Sequence, residues 1–187
     1  MSRNYAILEK SGSEAVTPAG VYSDLIRRFF QTPAAVAIVN HGDPHVCEDL
    51  AAELAAAGKR VVIVLVKTLL RMKQVPVPHE PDYVPGGTEN VWLWPAPAGN
   101  HISFFKSRGR SEPEKWLEAL RLNFDAVVMD CPAPGAVPGS AEIAAMADSA
   151  ILAAVSGVTT KLQVRQDCQL LASKGVKLAG SILTGRR

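Results

Sequence analysis

The hexapeptide Asn40-His41-Gly42-Asp43-Pro44-His45 is followed at once by Cys47, and a second pair of reactive types, Asp130 and Cys131, stands further along the chain. Imidazole, carboxylate and thiolate are the donors that hold zinc, so His41, His45, Asp130 and Cys131 form a candidate metal cluster if both segments end at one edge of a sheet. The competing reading is a set of polar loop residues around a tight turn, with Cys47 facing the core from inside a helix. A Cys-His nucleophile pair would need a third residue to orient the base, and the sequence names none. Asp130 alone is either a metal ligand or a turn-capping acid at a strand end. Asp43 before Pro44 reads as a helix N-cap followed by proline at the first helical position, an arrangement worth about 1 kcal/mol.

These residues need a frame, and the hydrophobic pattern supplies one. Short runs rich in β-branched residues, "AAVAIV" at 34–39, "KRVVIVLV" at 59–66, "VWLWPAP" at 91–97, "FDAVVMDCPAP" at 124–134, "SAILAAV" at 149–155 and "VKLAGSIL" at 176–183, are too brief for helices and read as six buried strands. Helices are expected from Thr17 to about Phe30, from Pro44 to Gly58, over 112–123, over 140–148 and over 159–174. Strands alternating with helices predict an α/β fold, a doubly wound and mainly parallel sheet with helices on both faces. In such sheets ligands sit beyond the carboxyl ends of the strands, which places the candidate site at Asn40–His45, Leu65–Lys67 and Asp130–Pro132. Residues 1–16 read as a flexible N-terminal segment and 17–187 as a single domain. The Pro- and Gly-rich stretch 74–90 reads as a long loop, either functional or mobile. Tyr22, Leu25, Ile26, Phe29 and Phe30 make an apolar helical stripe, which is either core or a partner surface rimmed by Arg27 and Arg28. Trp92 and Trp94 read as core residues on opposite faces of their strand.

Composition narrows the function. The chain has 187 residues, 48% hydrophobic and 20% charged, with a formal net charge of +2, which suits one soluble domain and argues against nucleic-acid binding. The basic "KSRGR" at 106–110 and the terminal "GRR" read as solvated loop and tail. Cys47, Cys131 and Cys168 lack disulfide-like spacing and imply reduced thiols in the cytoplasm. No apolar run reaches the roughly 20 residues that span a bilayer, so direct membrane insertion is not expected, and any peripheral place at the inner membrane would come through a partner.

Four phrases in order carry a resemblance over most of the chain: "HVCEDLAAELAAAGKRVVIV", "NVWLWPAPAG", "FDAVVMDCPAP" and "ADSAILAAVSGVTTKLQVRQDCQLLASKGVKLAGSILTG". They resemble the catalytic domain of the bacterial tyrosine kinases of capsular and exopolysaccharide assembly (BY-kinases), members of the ParA/MinD-like P-loop ATPases. That family holds phosphates with a glycine-rich loop ending in Gly-Lys-Ser/Thr, and its lysine offsets their charge while its hydroxyl binds Mg²⁺. Aligned on "LAAAGKRV", Gly42 falls on the last glycine, Asp43 on the lysine, Pro44 on the Ser/Thr and His45 on the next threonine, in a turn about five residues shorter. An anion replacing the lysine would repel a phosphate charge about 4 Å away by roughly 4 kcal/mol at an effective dielectric of 20.

Other family positions differ too. Leu65 and Lys67 stand where two acidic residues are expected, Thr184 replaces an adenine-reading asparagine, and Gly20, Ser23 and Ile26 replace the Glu-x-x-Arg-x-x-Arg assembly motif. The tyrosines are Tyr5, Tyr22 and Tyr83, with no C-terminal cluster, and Asp130 alone matches the Walker B acid. The resemblance therefore implies a pseudokinase-like regulatory or scaffolding subunit that uses no cofactor. It also implies self-association, and a membrane-bound polysaccharide chain-length or export component, or an active kinase paralogue, as partner. One alternative is a non-standard kinase or ATPase that binds ATP and Mg²⁺ around Asp130. Another is a MinD/ParA-like spatial regulator.

Overall fold

A strand whose residues are apolar on both sides needs cover on both sides, and the apolar runs obtain it. The computed structural model describes residues 7–8, 22–71, 83–95 and 113–185. In chain order the elements are β1 (Ile7–Leu8), α1 (Ser23–Phe29), β2 (Ala34–Asn40), α2 (Val46–Ala56), β3 (Val61–Leu65), α3 (Val66–Leu69), β4 (Val84–Pro85), β5 (Val91–Trp94), α4 (Pro113–Asn123), β6 (Ala126–Pro132), α5 (Ser140–Ala144), β7 (Ser149–Val155), α6 (Lys161–Ser173) and β8 (Leu178–Thr184). One sheet runs in the order β1-β8-β7-β2-β6-β3-β5-β4, and every pairing is parallel except β4 with β5. The expected α/β architecture is thus present.

Two apolar layers sandwich the sheet. Val36, Ile38, Ile63 and Val128 face one layer with Leu50 and Leu54 of α2 and with Tyr22 and Phe30 at the ends of α1. Ala37, Val39, Val64 and Met129 face the other with Trp94, with Trp116 and Leu120 of α4, and with Leu171 of α6. Because side chains alternate along a strand, residues one apart part company and residues two apart stay together. Trp92 and Trp94 accordingly lie on the same side, both against the second layer, which corrects the expectation of opposite faces.

The apolar stripe at the start also finds its place. Tyr22 and Phe30 are buried, and Leu25, Ile26 and Phe29 are half-buried against the first layer. Burial raises the Tyr22 phenol to about 12, with the carboxylates of Asp49, Asp43 and Glu53 adding to the effect.

Several boundaries move. Within the segment expected to be flexible, Ile7–Leu8 pairs with Ser181 and Ile182 as an edge strand. Within the expected loop 74–90, Val84 and Pro85 pair antiparallel with Leu93 and Trp92. Helix α5 is shorter than the expected 140–148, ending at Ala144. The expected start of α1 at Thr17, the family position Gly20, and the basic stretch 106–110 lie outside the described residues. Helix α6 starts where its chemistry dictates: Thr160 accepts a hydrogen bond from the Gln163 N–H, and Gln163 accepts one from the Thr160 N–H, a reciprocal capping box.

Candidate functional site

The register of the sheet brings the candidate segments to one edge. Asp130 lies level with Ile38 on β2 and Leu65 on β3, and Asn40 lies level with Pro132 and Ala153. Just beyond, the chain turns sharply at Gly42, whose φ of +108° suits glycine rather than an L side chain.

Side chains hold this turn shut. Asn40 Oδ1 accepts from the N–H groups of Gly42 and Asp43, each at 2.9 Å, while Asn40 Nδ2 donates to the Asp43 carbonyl at 2.6 Å. Asp43 Oδ1 accepts from the His45 N–H at 2.9 Å, and the His41 N–H donates to the Ala153 carbonyl at 3.1 Å. Pro44 has no N–H. Every backbone donor from His41 to His45 is therefore bound within the protein. The first turn of α2 carries Glu48 and Asp49, which complement its dipole and oppose a further anion.

The same bonds correct the expected helix start. Helix α2 begins at Val46 with His45 as N-cap, and no side chain caps it. The Asp43 carboxylate is committed two residues onward in an Asx turn, so it caps the turn and not the helix.

Beneath the turn, the Asn40 amide and the Cys47 thiol neighbour the Asp130 carboxylate. Burial raises the Asp130 carboxyl above its ordinary value; these two polar neighbours and the Lys67 charge pull it down, and Glu48 pushes it up. Burial, then the neighbouring Asp130, drive the Cys47 thiol well above its ordinary value, so it stays protonated and is no nucleophile.

The four candidate zinc ligands do not meet. His45 points outward to Glu48, with Nδ1 and Oε2 3.5 Å apart, whereas Cys131 is buried in the layer opposite the one that takes Cys47. His41 instead faces α6. No group of three or more His, Cys, Asp or Glu able to hold a metal occurs among the described residues. Alternation is the physical reason, since Asp130 and Cys131 are adjacent in one strand and must face opposite ways.

One pairing was missed by sequence reasoning. His41 Nε2 lies 3.1 Å from Asp167 Oδ2, with the two side chains only 6% and 7% exposed, but the ring is out of line for a hydrogen bond. Asp167 Oδ1 accepts from the Gly135 N–H at 3.1 Å. The available signal was an aspartate on the inward stripe of α6, one turn before the buried Leu171.

Burial lowers the His41 pKa below 6.5, and Asp167 opposes that shift only in part. A base depressed in the folded state binds fewer protons there than when unfolded. Stability is therefore full above about pH 6.5 and falls as the pH drops through that value toward the folded pKa. Urea unfolding at about pH 8 and about pH 5.5 should show a larger loss for the native protein than for His41→Gln, and equal losses would contradict the assignment.

No family model and no curated protein matches this sequence. Among solved structures, the chain is similar to the VpsO kinase domain at 20% identity, covering 91% of this chain and 93% of that one, with a TM-score of 0.67. It is similar to the kinase domain of the Escherichia coli tyrosine kinase ETK at 18% identity, covering 87% and 72%, with a TM-score of 0.65. It is also similar to MinD of Aquifex aeolicus, in a complex with MinC, at 20% identity, covering 82% and 69%, with a TM-score of 0.56. The likeness establishes the fold, a P-loop NTPase-like sheet of the kind that bacterial tyrosine-kinase domains and MinD share.

Proposed function

We propose that this protein is a catalytically silent regulatory or scaffolding subunit built on a nucleotide-binding fold. The observation that supports this reading is the closed turn at 40–45. A phosphate site needs a nest of open backbone donors and a cation. Here Asn40, Asp43 and Ala153 occupy the donors, and a carboxylate and a proline stand at the positions aligned with the family's lysine and hydroxyl.

A subunit of this kind acts by contact. The partners that fit are a second copy of the chain, an active kinase paralogue, or a membrane-bound component of polysaccharide chain-length control or export. No helix among the described residues is long and apolar enough to cross a membrane. In this proposal the subunit works in the cytoplasm, and any membrane attachment comes through the partner. A second reading, a non-standard ATP site, is favoured by Asp130 with Lys67 close enough to lower its pKa, beneath the turn.

Ligand linkage separates the two. A nucleotide present at a hundredfold excess over its Kd would stabilise the native state by about 2.7 kcal/mol and raise Tm by about 5–10 °C. ATP or ADP with Mg²⁺ at millimolar concentration is expected to leave Tm unchanged. A rise of that size would overturn the silent reading in favour of the second.

A further inference from the structure

Beside the closed turn lies a cleft of about 610 Å³, walled by His41, by Ala133, Gly135 and Ala136 after β6, and by Gln163, Gln166, Asp167, Gln169 and Leu170 of α6. Its size is that of a small-molecule site. Its chemistry is unusual for a fold that serves anionic nucleotides, because none of the lining residues is Lys or Arg.

The wall contains a buried carboxylate without a cationic partner. Asp167 is 5% exposed, and among the described residues no Lys or Arg reaches it. Its neighbours are the Gly135 N–H and the His41 ring, whose Nε2 is itself buried and makes no hydrogen bond. Burial favours the neutral imidazole, so His41 supplies no compensating charge near neutral pH. A buried carboxylate calls for a paired charge, and the protein does not provide it.

Around Asp167 the cleft offers carboxamides. Gln163 Oε1 is committed to the Thr160 cap, whereas Gln166 and Gln169 make no side-chain hydrogen bonds to the described residues and can present carbonyl oxygens. A carboxylate flanked by amide carbonyls matches an alkylammonium group, a compact cation with three donors.

We propose that the cleft between His41 and α6 is a binding site for a primary ammonium group, held by the Asp167 carboxylate with help from Gln166 and Gln169. The ammonium belongs either to a free small amine or to a lysine side chain of a partner protein, and the chemistry at Asp167 is common to both. The site borders the closed turn through His41, and ammonium binding at Asp167 requires no bound nucleotide.

Titration of the full chain with putrescine, with an N-acetyl-lysine amide, and with butanediol and succinate as neutral and anionic controls tests this, read by imidazole and backbone NMR shifts. Saturable shifts of His41 and of the α6 amides are expected with an amine below about 10 mM, and not with either control. Saturation by putrescine alone identifies a free amine, and saturation by the lysine amide alone identifies a partner side chain. Asp167→Asn should weaken the amine at least tenfold. If that variant fails to fold, Gln166→Lys, at an exposed position, places a competing cation at the cleft and should weaken it by a similar factor. Absence of saturation by both amines, equal binding of succinate, or unchanged amine affinity in a folded variant would overturn the proposal.

Discussion

Phe30→Ala is expected to lower stability by about 3–5 kcal/mol and Tm by about 6–20 °C. Phe30 is fully buried in the layer formed by Val36, Ile38, Leu50 and Leu54, and it closes the C-terminal end of α1. Truncation removes the transfer free energy of the ring and leaves a cavity in a tightly packed layer. Phe29 gives the contrast, because it is only half-buried against the same layer, with the exposed Arg28 5.3 Å from its ring centre. Phe29→Ala should cost about 1 kcal/mol. The pair separates the two readings of the apolar stripe by urea unfolding alone. A stripe kept for a partner would give two small stability losses together with loss of association, whereas a stripe kept for the core gives the large Phe30 effect in the isolated chain. A Phe30→Ala loss below about 1 kcal/mol would return the stripe to the partner reading.

What the sequence disclosed followed from periodicity. A parallel strand buried on both faces must be a continuous apolar run, so β2, β3, β6 and β7 were legible nearly to their ends. Helix α6 was legible as the stretch 159–174 between two apolar strands, and the structure adds the Thr160 and Gln163 capping box at its start. Edge strands of two residues, β1 and β4, leave no pattern to read; their pairing is set by which segment happens to lie alongside β8 or β5. The turn misled for a different reason. Asp43 and Pro44 are good helix starters, but Asn40 lies three residues earlier and draws Asp43 into a side-chain-closed turn, moving the helix start to Val46. The metal cluster failed on a rule that the strand pattern already contained, since consecutive residues of β6 cannot share a face. The His41 and Asp167 pairing was beyond reach because it joins β2 to α6 through tertiary packing. Only the aspartate on an inward helical stripe hinted at it.

Asn40 holds the turn shut with more bonds than any other side chain there, and its removal opens the turn most directly. Asn40→Ala deletes the acceptor of the Gly42 and Asp43 N–H groups and the donor to the Asp43 carbonyl. At about 1 kcal/mol per bond, with more for donors left buried, the expected loss is about 2–4 kcal/mol and about 5–15 °C in Tm. Asn40→Asp discriminates further. It restores the acceptor of both N–H groups but sets a second carboxylate against Asp130, whose own carboxyl is already raised by burial. Like charge raises such pKa values further in the folded state, so the folded protein takes up protons that the unfolded chain does not. The Asp variant should therefore be weak at neutral pH and should recover toward the native protein as the pH falls through the raised carboxyl pKa, whereas the Ala deficit should not. Urea unfolding across that range reads both. If Asn40→Ala costs less than about 1 kcal/mol, the Gly42 and Asp43 donors are satisfied as well by water as by the side chain. The turn would then be open to an anion at little cost, and the principal support for a silent nucleotide-type fold would be gone.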